Sequence, residues 1–349
     1  MNQIASRVAG ENRARVTLLQ LLCAVSIWRT AMTVVLPLCG AAAWWVTIIC
    51  LLPGFAVTAL LRLVLHLTQT ETLTEGVRAC LGKTGALVLS VVLAALLMTE
   101  GLAALTAMVT IFTQGVGTRG TAFTMTLLTG CALALSLHQD GLPRAAYFLR
   151  WPMAAAAAFI AACMLPQVRI DHVYPLCGEG DAAVITAMKA GCSLSWPVIL
   201  FLTASSNPQG RIKRTVLPAF APAAALLLQL LMVPQELLAG QRGRAAWLLL
   251  PAKYAPNALR ILYLCLLMLT TFLSIAAAVQ LAREHLCSHL KKKPVWLPYA
   301  LLGVLALMFT GDVSYPWGLL SEVQPWLLLP LAALSILCLP IACIRRKCK

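Results

Sequence analysis

The chain has 349 residues, 60% hydrophobic and 11% charged, with a mean hydropathy of +0.85. That composition excludes an ordinary soluble domain, in which about a quarter of the residues are charged. The formal net charge of +15, from 27 Lys and Arg against 12 Asp and Glu, would suggest a nucleic-acid partner in a soluble protein; in a chain this apolar it reads as basic loops holding a polytopic membrane protein in orientation, and no nucleic-acid partner is expected.

Taken in order, residues 1–16 are polar and carry Arg7, Arg13 and Arg15 ahead of an apolar segment that continues into others, so a cleaved signal peptide is not expected. With about twenty apolar residues per crossing, the sequence predicts about ten membrane helices, roughly at residues 16–38, 44–67, 86–112, 122–137, 147–165, 182–204, 216–238, 259–281, 295–310 and 323–344. Spans four and nine are the shortest, which leaves nine or eleven as alternatives. The expected fold class is an all-α polytopic membrane protein forming one integral membrane domain over residues 1–349. With the N-terminus inside, Lys and Arg are about four times as numerous on the cytoplasmic side, which satisfies the positive-inside rule and places both termini in the cytoplasm.

Three connections have more character than a linker needs. After span two, Thr72-Leu73-Thr74-Glu75 fits a capping box, and Gly82 would end the short helix that follows, so an interfacial helix is expected on the cytoplasmic face. Between spans five and six, residues 171–181 (Asp-His-Val-Tyr-Pro-Leu-Cys-Gly-Glu-Gly-Asp) form a turn-rich acidic outer loop. Between spans seven and eight, residues 245–251 are apolar but too short to cross, and are expected to lie in the interface.

The interior candidates begin in span six. There Lys189, Gly191, Ser193, Ser195 and Pro197 interrupt what should be unbroken hydrocarbon. A charged residue in a span is costly and marks a functional site by default, and a Gly with a Pro argues for a broken helix. Span one has its own interruption, Trp28-Arg29-Thr30-Ala31-Met32-Thr33, ending at Pro37. If spans one to five (about 16–165) repeat as six to ten (about 182–344), the two interruptions correspond. Paired broken helices are the pointer to the binding site in inverted-repeat transporters. The competing account is that Arg29 and Lys189 reach out to an interface while Pro37 and Pro197 only kink their helices.

Span three carries Glu100, the only acid deep in any span and near the bilayer midplane. Glu100, Ala103, Ala104, Ala107 and Thr110 share one helical face, expected to look into the bundle, with Leu102, Leu105, Val109 and Phe112 on the other. Glu100 is either a protonated or paired structural acid or the counter-charge for Lys189, Arg29 or a cationic ligand group. Span eight adds Thr271, Ser274 and Ala278 at helical spacing, with Thr270 beside them; such hydroxyls more often bond their own helix or a neighbour than a ligand. The expected ligand-binding set is therefore Arg29, Thr30, Thr33, Glu100, Lys189, Gly191, Ser193, Ser195, Thr271 and Ser274.

No enzymatic chemistry, metal or cofactor is expected. The 13 cysteines include no CxxC pair, and most fall in or beside apolar segments, where a thiol behaves as a small hydrophobe. The 5 histidines lie in loops or at span ends, and neither HExxH, GxSxG nor a P-loop occurs. His285 and His289 have i, i+4 spacing but stand beside Lys291, Lys292 and Lys293 with few other donors.

Several stretches together resemble the B subunit of spore germinant receptors, the GerAB-type spore germination permease family of the amino acid–polyamine–organocation superfamily. They are Thr72-Leu73-Thr74-Glu75 with Leu81-Gly82-Lys83 after span two, Asp140-Gly141 ahead of Arg144 and Arg150, Tyr174-Pro175-Leu176 with Gly178 and Gly180 before span six, Leu250-Pro251 ahead of span eight, and the short basic tail. The resemblance implies a ten-span, LeuT-like 5+5 inverted repeat in the spore inner membrane, recognising a small germinant such as an amino acid beside partner A and C subunits. Two other readings stand next to this sensor: a secondary carrier of amino acids or amines coupled to protons through Glu100, and a scaffold subunit that binds nothing.

Overall fold

A computed structural model of the chain describes residues 2–70, 72–116, 141–174, 176, 178–203, 213–232, 248–249, 252, 256–287, 300 and 314–347. The described residues are nearly all helical, and six helical segments among them are long and apolar enough to cross a membrane. The protein is thus an all-α membrane protein. The helices are α1 (Asn2–Thr30), α2 (Ala43–Thr68), α3 (Leu73–Thr110), α4 (Gly141–Met164), α5 (Asp181–Gly191), α6 (Trp196–Thr203), α7 (Lys213–Met232), α8 (Asn257–Cys287) and α9 (Ser314–Lys347). Expected span four and, apart from residue 300, expected span nine lie outside the described residues; the other eight each fall on one or two of these helices.

Span one is not a plain helix. It passes from α1 into a π-helical turn, Ala31–Val35, and one α turn, Leu36–Cys39, before the chain breaks at Gly40 (φ 53°). Span six passes from α5 through a 3₁₀ turn, Cys192–Ser195, into α6. Both irregular turns sit one turn ahead of a proline, Pro37 and Pro197. Proline has no N–H for the carbonyl four residues back, and its ring crowds that carbonyl, so the preceding turn widens or tightens.

Between α2 and α3 the expected cap is present: the Glu75 backbone N–H donates to Thr72 Oγ1 at 3.3 Å, with Thr72 extended at φ −117°. Gly82, at φ 76°, then turns the short helix into the span, a conformation glycine adopts without the cost of a Cβ. Thr72→Ala should cost about 1 kcal/mol, as N-cap deletions do, and chemical denaturation of the purified protein would measure it.

The centre of the fold is α3 packed against α8 and α9. From Thr99 to Thr110 every residue of α3 is buried, and from Leu273 to Ala282 every residue of α8. Ala103, Ala104 and Ala107 on one helix and Ala276, Ala277 and Ala278 on the other let the backbones approach closely, the means by which membrane helices gain packing where lipid offers no hydrophobic drive. The Glu100 face of α3 is buried, and so is the opposite one: Leu102, Leu105 and Val109 are as buried as Ala104. A helix apolar all round belongs in the middle of the bundle.

The loop between spans five and six is pinned rather than free. Arg169 N–H donates to the Leu231 carbonyl (2.9 Å), and Trp45 Nε1 donates to the Leu176 carbonyl (2.9 Å). Gly178, at φ 58°, lies so close to Cys39 that a Cβ there would run into the Cys39 carbonyl. Most of the segment expected in the interface, residues 245–251, lies outside the described residues, but Leu248 and Leu249 are buried, and the Leu248 carbonyl accepts from Tyr263 Oη at 2.8 Å. At those two residues the segment is tucked into the protein, where a side-chain donor satisfies a backbone acceptor that lipid could not.

Candidate functional site

Four spans meet at Glu100. A small cavity of about 10 Å³ beside its carboxylate is lined by Cys23 and Ser26 of α1, Leu97 of α3, Trp196 and Pro197 of α6, and Ala278 of α8. Its lining exposes no polar atom, so it is an apolar packing gap rather than a place for water. Spans one, three, six and eight therefore converge around one carboxylate, with only 2% of its residue surface exposed.

The carboxylate is engaged on both sides. Arg29 Nη2 pairs with Glu100 Oε1, and Ser26 donates its hydroxyl to Glu100 Oε2 at 2.8 Å. Arg29 is itself 1% exposed. A lone buried charge in a membrane protein costs several kcal/mol, and each of these ions removes that penalty from the other. Arg29 has donors to spare: its Nε and Nη1 are buried without a hydrogen-bond partner among the described residues. The Trp196 indole N–H, beside the small cavity, is also buried without one.

Lys189, grouped with Glu100 on the sequence, is elsewhere. It is exposed in the last turn of α5, where an ammonium complements the negative end of the helix dipole. Of the cations considered for Glu100, the structure pairs Arg29 with it.

The neighbouring candidates are structural in their bonding. Ser195 donates to the Cys50 carbonyl of α2 at 2.8 Å, Ser193 to the Ala190 carbonyl at 2.9 Å, and Thr33 to the Arg29 carbonyl at 2.8 Å. Ser274 donates to the Thr270 carbonyl at 2.9 Å, and Thr271 and Thr30 are buried. Such back-bonding leaves these hydroxyls no second donor for a ligand. Gly191 serves close packing: a Cβ there would fall 2.7 Å from Cys50 Sγ and 3.3 Å from Val35 Cγ2. The irregular turn of span one thus packs against the end of α5, through Val35 and Gly191. Ser195→Ala should cost about 1 kcal/mol, the net worth of one hydrogen bond, with no loss of whatever the site binds; thermal melting and a binding assay on the same preparation separate the two.

Ser26 did not stand out in the sequence, although its position three residues before Arg29 puts both on one face of α1. A single serine in an apolar segment is too common to signal more. Ala278 carries no ligand chemistry of its own and Trp196 only an indole N–H, and both matter here because of where their helices cross α3.

A second ion pair, Arg15 with Glu284, joins the middle of α1 to the last turn of α8, and Gln280 Nε2 donates to Glu284 Oε1 at 3.4 Å. Its side chains are 46% and 34% exposed. Solvent screens such a pair, so Arg15→Ala should cost no more than about 1 kcal/mol, which makes it a control for changes at Arg29. His289, the spacing partner of His285, lies outside the described residues. Among the described residues no group of three His, Cys, Asp or Glu side chains could hold a metal ion. No family model and no curated protein matches this chain.

Proposed function

We propose that this chain is a transporter-like membrane subunit that senses a small amino acid, of the kind found as the B subunit of spore germinant receptors, with Arg29 and Glu100 as the groups that read the ligand. The observation that carries the reading is the buried Arg29–Glu100 pair at the meeting point of spans one, three, six and eight. An amino acid brings one carboxylate and one ammonium. Its carboxylate can take over Arg29, whose Nε and Nη1 have no other partner among the described residues, in the planar two-point contact that guanidinium favours. Its ammonium can take over Glu100. Each charge exchanges one partner for another, and neither is left bare in a low-dielectric interior.

The cavity of about 10 Å³ holds no amino acid as it stands. Binding in this reading separates α1 from α3, and the ligand stabilises the parted arrangement over the paired one, a population shift set by its differential affinity. A LeuT-like arrangement of two inverted repeats, about 16–165 and 182–344, fits the irregular turns ahead of Pro37 and Pro197 in spans one and six, and A and C subunits in the spore inner membrane would receive the signal. Labelling of Cys177 from outside, and of Cys348 only after permeabilisation, is the expected topology; both cysteines lie outside the described residues.

The test is binding of labelled amino acids to the purified protein in lipid nanodiscs. Binding of at least one is expected, abolished in Arg29→Gln and Glu100→Gln and kept in Arg15→Ala. Failure of every amino acid to bind the wild type overturns the reading. A proton-coupled carrier is the second reading, favoured by the burial of an acid, Glu100, where spans one, three, six and eight meet. Uptake into proteoliposomes driven by a pH gradient, and lost with Glu100→Gln, would establish it in place of a pure sensor.

A further inference from the structure

Behind α1, on the face away from Glu100, lies a second and much larger cavity of about 330 Å³, bounded by α1, α4, α7 and α8. It is separate from the central site. Ser26 of α1 faces Glu100, whereas Ala24, Val25 and Trp28 line the larger cavity.

The lining offers almost nothing to a polar ligand. Trp28 Nε1 donates to Gln229 Oε1 at 3.4 Å, Thr270 to the Leu267 carbonyl at 3.0 Å, and Tyr263 to the Leu248 carbonyl at 2.8 Å, so these hydrogen-bonding hydrogens are satisfied within the protein. The rest is Ala, Val, Leu, Ile, Met and Pro. A cavity of that kind stays dry and takes apolar molecules, and its size is within the range of ligand pockets.

The medium beside it is hydrocarbon. Among the lining residues, Ala157 of α4 and Ala225 of α7 are exposed, and α4 turns Phe159 outward with 56% of its surface exposed. Helix α4 is long and apolar enough to cross the membrane, and only 11% of its apolar window is buried. An unfilled apolar cavity forfeits the dispersion contacts of its walls, and the molecule at hand to restore them is a lipid tail.

We infer that the cavity between α1, α4, α7 and α8 is a binding site for the acyl chain of a bilayer lipid, entering between α4 and α7. A chain seated there supports α1 from behind, on the helix whose front carries Arg29.

The test uses the full-length protein in vesicles of phosphatidylcholine with brominated acyl chains, because bromine quenches tryptophan fluorescence at contact. The signal of Trp28 is taken as the difference between the wild type and Trp28→Phe. Quenching of that component is expected in the wild type, with loss of the quenching in Ala225→Leu and in Ala161→Leu, which fill the cavity from two different helices. Each variant is first shown to melt cooperatively, and the second keeps the test alive if the first does not fold. A Trp28 component that escapes quenching in the wild type, or is quenched equally in the filled variants, overturns the inference.

Discussion

Replacing Glu100 with glutamine is expected to destabilise the protein by about 3–5 kcal/mol, because it strands the Arg29 guanidinium, 1% exposed, without a counter-charge. The hydroxyl of Ser26, at 2.8 Å from Glu100, can bond to the new amide but cannot supply its charge. Arg29→Met alone should cost a similar amount, this time by stranding the carboxylate. The double variant Arg29→Met, Glu100→Leu should recover most of the loss, since replacing a buried ion pair with apolar groups of similar volume is often neutral or better. Unfolding in detergent titrated with SDS gives the stabilities of the wild type and of the three variants, and Glu100→Leu alone completes the double-mutant cycle. If Glu100→Gln unfolds with the wild type, Glu100 is not the partner that Arg29 depends on, and the reading of the pair as the ligand's two contacts fails with it. Recovery of stability in the double variant without recovery of amino acid binding would separate the structural role of the pair from its proposed function.

The second large effect is expected at Gly54 in α2. A Cβ there would fall 2.6 Å from the Ser195 carbonyl oxygen and 2.8 Å from Ser195 Cα. Both are backbone atoms in the irregular turn of span six, with no side-chain torsion to rotate them away. Gly54→Ala must therefore push α2 and span six apart, a form of overpacking that costs about 1–3 kcal/mol. The displacement also strains the bond from Ser195 to the Cys50 carbonyl, 2.8 Å long, and the contact of Gly191 with Cys50 Sγ. A fall in melting temperature is expected, larger than that of Ser195→Ala, which removes the hydrogen bond but leaves the backbones in place. Equal melting of Gly54→Ala and wild type would show that the two elements are not in backbone contact.

Much of the architecture was legible in the sequence because it is set by neighbours along the chain. Hydropathy over some twenty residues marks a crossing, and the described helices coincide with eight of the ten expected spans. The turn at Thr72 and the stop at Gly82 follow from a side-chain oxygen three residues from an unpaired N–H and from a backbone angle that favours glycine. The interruptions of spans one and six were visible for the same reason: Pro37 and Pro197 withhold an N–H from a carbonyl one turn back, whatever surrounds them.

What only the tertiary structure decided is which of these local features meet. The sequence put Glu100 at mid-membrane and offered Arg29 and Lys189 as its counter-charge. Arg29 pairs with it and Lys189 is exposed on α5. Periodicity gives the direction of a side chain about its own helix axis, but not what stands opposite; that depends on how helices far apart in sequence cross. The same limit accounts for α3 being buried on both faces, for Ser195 holding α2 rather than facing the pocket, and for the arrival of Ser26, Trp196 and Ala278 around one carboxylate. The sequence determined the helices, their breaks and the presence of an acid inside span three. Tertiary packing decided its partner, because a charge in a low-dielectric interior is stabilised only by groups within a few ångströms, and distance along the chain does not fix which groups those are.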